Sequence, residues 1–461
     1  MFEKYYSKAT GIIMILLLIQ FSLFAVKSTD SKNLIFKDGD RVAFIGNSIT
    51  HGGLYHLYIQ SYYQTRFPER NIEFYNCGVG GDVTTNVLDR MDYDILSHNP
   101  TVAVIKLGMN DAGSSFYEKK HTADELLIEQ NRIVAKYTKE MREIIRRLKD
   151  SCNPRIFIIK PTPYDPNCKS ANRLVLTGKN ETIQKLTVAV DELANESGAT
   201  LVDFYNPLNE LNIKLQLVDS NFTAIGKDRV HPGPMGHLLM AYLFLKIQQV
   251  PEIISKIEIV VNPKIKSKTF NATVTNLKKG KNQISFELIE NAIPFPISPD
   301  AATALKYMPV NEFNNELLEL RGIDKGMYKL KIGNEEIGSF TSDELSIGLN
   351  LATNSKTPQY KQSQVVSVKL KSAFDKRVKL RDLLYAKIMI TKANIDINEH
   401  EKFKSFVDAK RKENSYFGRA LDIYTLNHNK IDSIESAIKD DLNKARELSK
   451  PIMHTYLLTK E

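Results

Sequence analysis

Tryptophan is absent from this chain, and cysteine occurs only three times, at Cys77, Cys152 and Cys168. So few cysteines exclude a disulfide framework, and without CxxC or Cys/His spacing they do not suggest structural zinc. An exported chain has one pairing open to it, Cys152 with Cys168 around a loop, which leaves Cys77 free and buried. Long apolar runs are also scarce. Gly11–Val26 is the single one near membrane-spanning length, and a spanning helix needs about 20 such residues. Blocks of like charge are missing too. Lys and Arg outnumber Asp and Glu by 63 to 54, a net +9, but they are interleaved as in KARELSK near the C-terminus. That pattern is a solvated basic surface, and it excludes nucleic acid as the expected partner.

What is present begins with a processing signal. Lys4 and Lys8 precede the apolar run, and polar residues from Lys27 to Asn33 follow it. This arrangement predicts a secretory signal peptide over 1–28, with an uncleaved anchor as the alternative. The mature protein is then expected to be secreted or periplasmic, without stable membrane insertion. With 42% hydrophobic and 25% charged residues in 461, the chain can bury a sizeable core and favours two or three domains.

From about Asp38 to Gln249, short β-rich runs alternate with amphipathic helical runs. Arg41–Ile45, Ile72–Asn76, Val102–Leu107, Ile156–Ile159 and Thr200–Asp203 read as strands, and His121–Asp150 as the clearest helix. Alternation of this kind predicts a parallel sheet covered on both faces, with functional loops at the carboxyl ends of the strands. The expected units are an α/β domain over 34–252, a small β-rich module over 256–350 and a helical region over 358–461. Gly333-Asn334 is a plausible hairpin turn within the module.

Four short blocks stand at the strand ends. Gly46-Asn47-Ser48 follows the first strand and projects a hydroxyl from a tight strand-to-helix turn. Gly78, Gly80 and Gly81 follow the second and allow backbone N–H groups to approach a ligand, although Gly78 and Gly80 read better as a flexible turn. Asn110 ends the third, where a side-chain amide can donate to a developing oxyanion. Asp228 and His231 lie three residues apart before a helix, a spacing at which the acid can orient the imidazole. Each block alone is ordinary turn chemistry. His51 reads as a surface turn near the serine. Asp111 lacks a histidine at convenient spacing and is set aside as the acid.

In this order and at these strand ends, the four blocks resemble the SGNH hydrolases, also called the GDSL esterase/lipase family. The resemblance covers about half the chain, Asp38 to Gln249. It implies an α/β, flavodoxin-like fold with a five-stranded parallel sheet flanked by helices. It also implies a serine esterase with Ser48 as nucleophile, Asp228 and His231 as the rest of a triad, and the Ser48 and Gly81 N–H groups with the Asn110 amide as an oxyanion hole. The chain has Gly-Asn-Ser where the family more often has Gly-Asp-Ser, which implies modest tuning. No metal or organic cofactor is implied. The GxSxG elbow of the α/β-hydrolases is missing.

The expected substrate is a small ester, with an O-acetylated carbohydrate leading and a lysophospholipid or thioester as the alternative. A reading from another class is a glycan-binding protein with an idle hydrolase domain. The β-rich module lacks an aromatic platform, so Tyr307 and Tyr328 are expected as core or rim residues. The C-terminal helices are expected as a structural cap or dimer surface.

Overall fold

The computed structural model describes residues 34–461, and the expected signal peptide lies outside the described residues. The α/β part runs β1 (Arg41–Gly46), α1 (Ser48–His51), α2 (Leu54–Arg66), β2 (Glu73–Gly78), α3 (Thr84–Asp94), β3 (Val102–Lys106) and α4 (Ala123–Ser151). It continues through β4 (Arg155–Lys160), α5 (Lys179–Ser197), β5 (Thr200–Asp203), α6 (Tyr205–Gln216) and α7 (Pro234–Ile247). All five strands are parallel, in the order β2-β1-β3-β4-β5. Every residue of β3 is buried, as a central strand covered on both faces requires. The order reverses at β1, so loops after β1, β2 and β3 converge at one edge, the usual place for a site in an open parallel sheet.

Local chemistry fixes the covering helices. Thr122 and Glu125 form a reciprocal capping box at the start of α4, and Ile133, Tyr137, Met141, Ile144, Ile145 and Leu148 turn one apolar face to the sheet. Pro234 occupies the first turn of α7, where its missing N–H has no partner to lose.

Beyond Pro251 lie β6 (Ile253–Val260), β7 (Lys266–Phe270), β8 (Ala272–Lys279), β9 (Gln283–Glu290), β10 (Asn315–Arg321), β11 (Met327–Ile332), β12 (Glu335–Thr341), α8 (Ser342–Ile347) and β13 (Leu349–Asn350). The helices α9 (Pro358–Ala393), α10 (His400–Glu413), α11 (Ser415–Asn427) and α12 (Ile431–Leu448) follow, and β14 (His454–Lys460) ends the chain. The β-rich module is two sheets, β13-β10-β6-β7 and β12-β11-β14-β9-β8, closed on a shared apolar core. Gly333-Asn334 connects the antiparallel pair β11 and β12. Tyr328 is buried, and Tyr307 packs edge-on to Phe222.

Two features depart from the expected boundaries. The segment 291–314 packs Phe295, Ala301, Ala304, Val310 and Phe313 onto the α/β core. The helical region stops at Leu448, and β14 returns to pair antiparallel with β9 and β11. Tyr456 and Leu458 alternate inward along that strand and are fully buried, a period-two pattern too short to stand out behind a long helical stretch. The three cysteines are free, so the Cys152–Cys168 pairing is not formed, whereas Cys77 is buried as expected. Cys168 instead sets its sulfur against Ser170 and the Asn221 carbonyl.

Candidate active site

The serine turn is built by its neighbours. Asn47 is fully buried and caps α1 by accepting from the Ile49 N–H at 3.2 Å, which places Ser48 at the first helical position. An N–H there has no partner inside the helix, and that of Ser48 finds none elsewhere among the described residues. Gly78 belongs to a close crossing of backbones. A Cβ there would lie 2.3 Å from the His51 nitrogen, so the flexible-turn reading of Gly78 is corrected: it is the packed end of β2.

The loop after α6 carries the acid and the histidine. Arg229 adopts φ +68°, a left-handed conformation that disfavours a side chain. Its guanidinium holds that turn by donating to the carbonyls of Asp165, Pro166, Cys168 and Arg173. Asp228 Oδ1 accepts from the backbone N–H groups of Val230 and His231, at 3.1 and 2.9 Å. Its Oδ2 lies 2.5 Å from His231 Nδ1. A carboxylate can only accept, so Nδ1 carries the proton and Nε2 is the acceptor. Ser48 Oγ stands 2.7 Å from that Nε2. Partial burial alone would raise the Asp228 carboxyl. The hydrogen bonds from His231 and Val230 outweigh it and hold the group well below the usual carboxylate range.

Two further candidate donors lie on the loops that follow β2 and β3. Gly81 adopts φ +86°, is exposed, and its N–H has no protein acceptor among the described residues. Asn110 Nδ2 donates to the Asp82 carbonyl at 3.0 Å, which spends one of its two N–H bonds and leaves the other. Asp111 is structural. It accepts from the N–H and hydroxyl of Thr84, both at 2.8 Å, and from the Gly108 N–H at 2.9 Å, tying the third block to the second. The structure therefore brings Ser48, His231 and Asp228 into one hydrogen-bonded line, with Gly81 and Asn110 on loops joined through Asp82.

The sequence gives no sign of what stands behind the glycine loop. Val79 is a member of the apolar core formed by Tyr385, Met389, Phe403, Tyr416 and Phe417 of the C-terminal helices. Arg381 on α9 donates to the Gly78 carbonyl at 3.0 Å and pairs bidentately with Asp94. Arg90 joins Asp94 to Asp82 and also donates to the Cys77 carbonyl at 2.8 Å. All four charged groups are buried, and the two guanidiniums pull Asp94 below its ordinary range against the opposing effect of burial. His51 is not a surface turn. It is buried, with Nε2 3.5 Å from Asp382 and its ring edge-on to Tyr416. The C-terminal helices are thus a wall of the site as well as a cap. Among the described residues, no group of three or more His, Cys, Asp or Glu side chains is placed to hold a metal ion, and no helix is long and apolar enough to cross a membrane.

Residues 44–239 match the GDSL-like lipase/acylhydrolase family. An acetylxylan esterase from Geobacillus stearothermophilus is 25% identical over 228 residues, which cover 45% of this chain and 93% of that protein. A solved structure of a gut microbial diltiazem-metabolizing enzyme is 32% identical, covers 93% of this chain and 99% of its own, and superposes with a TM-score of 0.84. The resemblance extends through the β-rich module and the helices to nearly the whole length. The chain belongs to the GDSL-like lipase/acylhydrolase family and is a hydrolase of ester bonds.

Proposed function

We propose that this protein is an exported serine esterase that removes O-acetyl groups from carbohydrates through an acyl-enzyme on Ser48. The observation that carries the reading is the unbroken line from Ser48 Oγ through His231 to Asp228, at 2.7 and 2.5 Å. Ser48 Oγ attacks the ester carbonyl and passes its proton to His231 Nε2. Asp228 keeps the proton on Nδ1 and stabilises the imidazolium. The Ser48 and Gly81 N–H groups and the second N–H of Asn110 receive the oxyanion, and loss of one such donor costs about 3–4 kcal/mol. The C–O bond to the alcohol breaks, and His231 returns its proton to the departing alkoxide. Water then adds to the acetyl-serine with His231 as base, which frees acetate and Ser48.

The carbohydrate reading is supported by the likeness to an acetylxylan esterase and by the openness of the site, where the His231 side chain is 44% exposed. Export is supported by the basic and apolar residues of the N-terminus. A second reading, cleavage of an ester on a smaller, non-carbohydrate molecule, is favoured by the likeness over nearly the whole chain to the diltiazem-metabolizing enzyme. The test is acetate release from acetylated xylo-oligosaccharides, p-nitrophenyl acetate and diltiazem, beside Ser48→Ala. The carbohydrate reading predicts the highest kcat/KM on the saccharide and none in the variant. A preference for diltiazem supports the second reading, and turnover that survives Ser48→Ala overturns both.

A further inference from the structure

The turn between α10 and α11 brings Asn414 onto the glycine loop after β2, 333 positions after Gly81. Its two amide atoms are not equivalent. Oδ1 accepts from the Tyr416 N–H at 2.9 Å and so caps α11. That bond fixes which end of the carboxamide is the oxygen, and Nδ2 is the end turned to the loop. A Cβ placed on Gly81 would lie 2.4 Å from this nitrogen. Nδ2 has no acceptor among the described residues, and it stands beside Gly81, whose own N–H is also unused. Two unspent donors, one backbone and one side chain, thus lie together on the exposed loop after β2.

Asn414 is held there. The Tyr416 ring would lie 3.3 Å from a Cβ on Gly80, and its hydroxyl donates to Asp382 at 2.8 Å. Val79 anchors the same loop within the helical core. A half-buried donor kept in position but given no protein partner is suited to an acceptor that arrives with a ligand.

We propose that Asn414 is a substrate-contacting, specificity-determining residue, donating through Nδ2 to an oxygen of the carbohydrate that bears the ester. The proposal rests on the acetyl-carbohydrate reading of the Ser48 site. A sugar offers hydroxyl and ring oxygens on the carbons flanking its acetyl group, whereas the aryl group of p-nitrophenyl acetate has none next to the ester. The contact therefore selects for the alcohol half of the substrate, and the C-terminal helices supply it.

The experiment measures kcat and KM on acetylated xylo-oligosaccharide and p-nitrophenyl acetate for the full chain, Asn414→Ser and Asn414→Asp. Serine still caps α11 but is too short to reach, and aspartate keeps cap and shape while replacing the donor by an acceptor. The expected result is a fall of about tenfold or more in the ratio of kcat/KM between the saccharide and p-nitrophenyl acetate, carried by KM, which a loss of one hydrogen bond to substrate produces. If one variant fails to fold, the other reports the same ratio. An unchanged ratio in a folded variant overturns the proposal, as does a wild-type enzyme that cleaves p-nitrophenyl acetate but no acetylated saccharide. Full turnover by Ser48→Ala is a different failure, that of the underlying serine reading.

Discussion

Arg381 on α9 donates its Nε hydrogen to the carbonyl oxygen of Gly78 at 3.0 Å, across 303 positions of sequence. The contact joins the C-terminal helices to the loop whose Gly81 N–H is assigned to the oxyanion. Through Asp94 and Arg90 the same guanidinium reaches Asp82, whose carbonyl holds the Asn110 amide. One buried ion network thus supports two of the three donors proposed for the oxyanion.

Replacing Arg381 with Met leaves the Gly78 carbonyl unpaired and Asp94 with Arg90 alone. Breaking a buried pair in this way costs on the order of 3 kcal/mol, read as a lower urea midpoint. The loosened loop also lowers kcat more than it raises KM, and Arg381→Lys, which keeps charge but not the fork, recovers only part. Wild-type stability and kcat in Arg381→Met contradict the account.

Asp228→Asn tests the tautomer. An amide at this position no longer favours the proton on His231 Nδ1, so Nε2 is not available to accept from Ser48. The expected fall in kcat is about 10,000-fold, with KM little changed. A loss under tenfold shows that Asp228 does not orient His231.

Lys106 lies fully buried at the end of β3, and its Nζ finds no hydrogen-bond partner among the described residues. Burial brings its pKa down to about 7. An unfolded lysine titrates at ~10.4, so between about pH 7 and that value unfolding takes up a proton. The penalty for burying Lys106 is therefore full below about pH 7 and fades as pH rises toward ~10. Lys106→Met is expected to raise the thermal midpoint near neutral pH, with the gain shrinking toward pH ~10. A gain that grows with pH contradicts this assignment.

His237 is also buried. Its Nδ1 accepts from the Tyr55 N–H at 3.2 Å, and burial, reinforced by nearby Lys106, moves its pKa down to about 3. The group stays neutral in the folded protein while an unfolded histidine charges below about pH 6.5. Stability is then lost as pH falls from about 6.5 toward 3, and His237→Gln flattens that slope by about one proton. Thermal midpoints of both proteins between pH 4 and 7 measure the difference, and parallel slopes contradict it.

The α/β half was legible because its signals are local. Each strand of the parallel sheet is a short apolar run, and Ser48 and Asn110 sit just after two of those runs, whereas Asp228 and His231 stand in the loop between α6 and α7, where their three-residue spacing is itself the local signal. The rest depends on contacts between distant segments. Nothing near Arg381, Asn414 or Tyr416 hints that they meet Gly78, Gly81 and His51, since helical spacing explains them equally well as surface or core. β14 was hidden for a related reason, because its seven residues pair only with strands formed more than a hundred positions earlier. The Cys152–Cys168 pairing rested on loop proximity alone, but Cys152 ends α4 just before β4 and Cys168 lies in the loop beyond it, so the strand sets them at opposite ends of the sheet.

The most direct test of the serine mechanism is mass analysis of the protein rapidly quenched after mixing with p-nitrophenyl acetate. The account predicts one acetyl group on the peptide that carries Ser48, absent from Ser48→Ala and longer-lived in His231→Ala if any forms there. Steady turnover with no acetyl on Ser48, or the same label in Ser48→Ala, would contradict it.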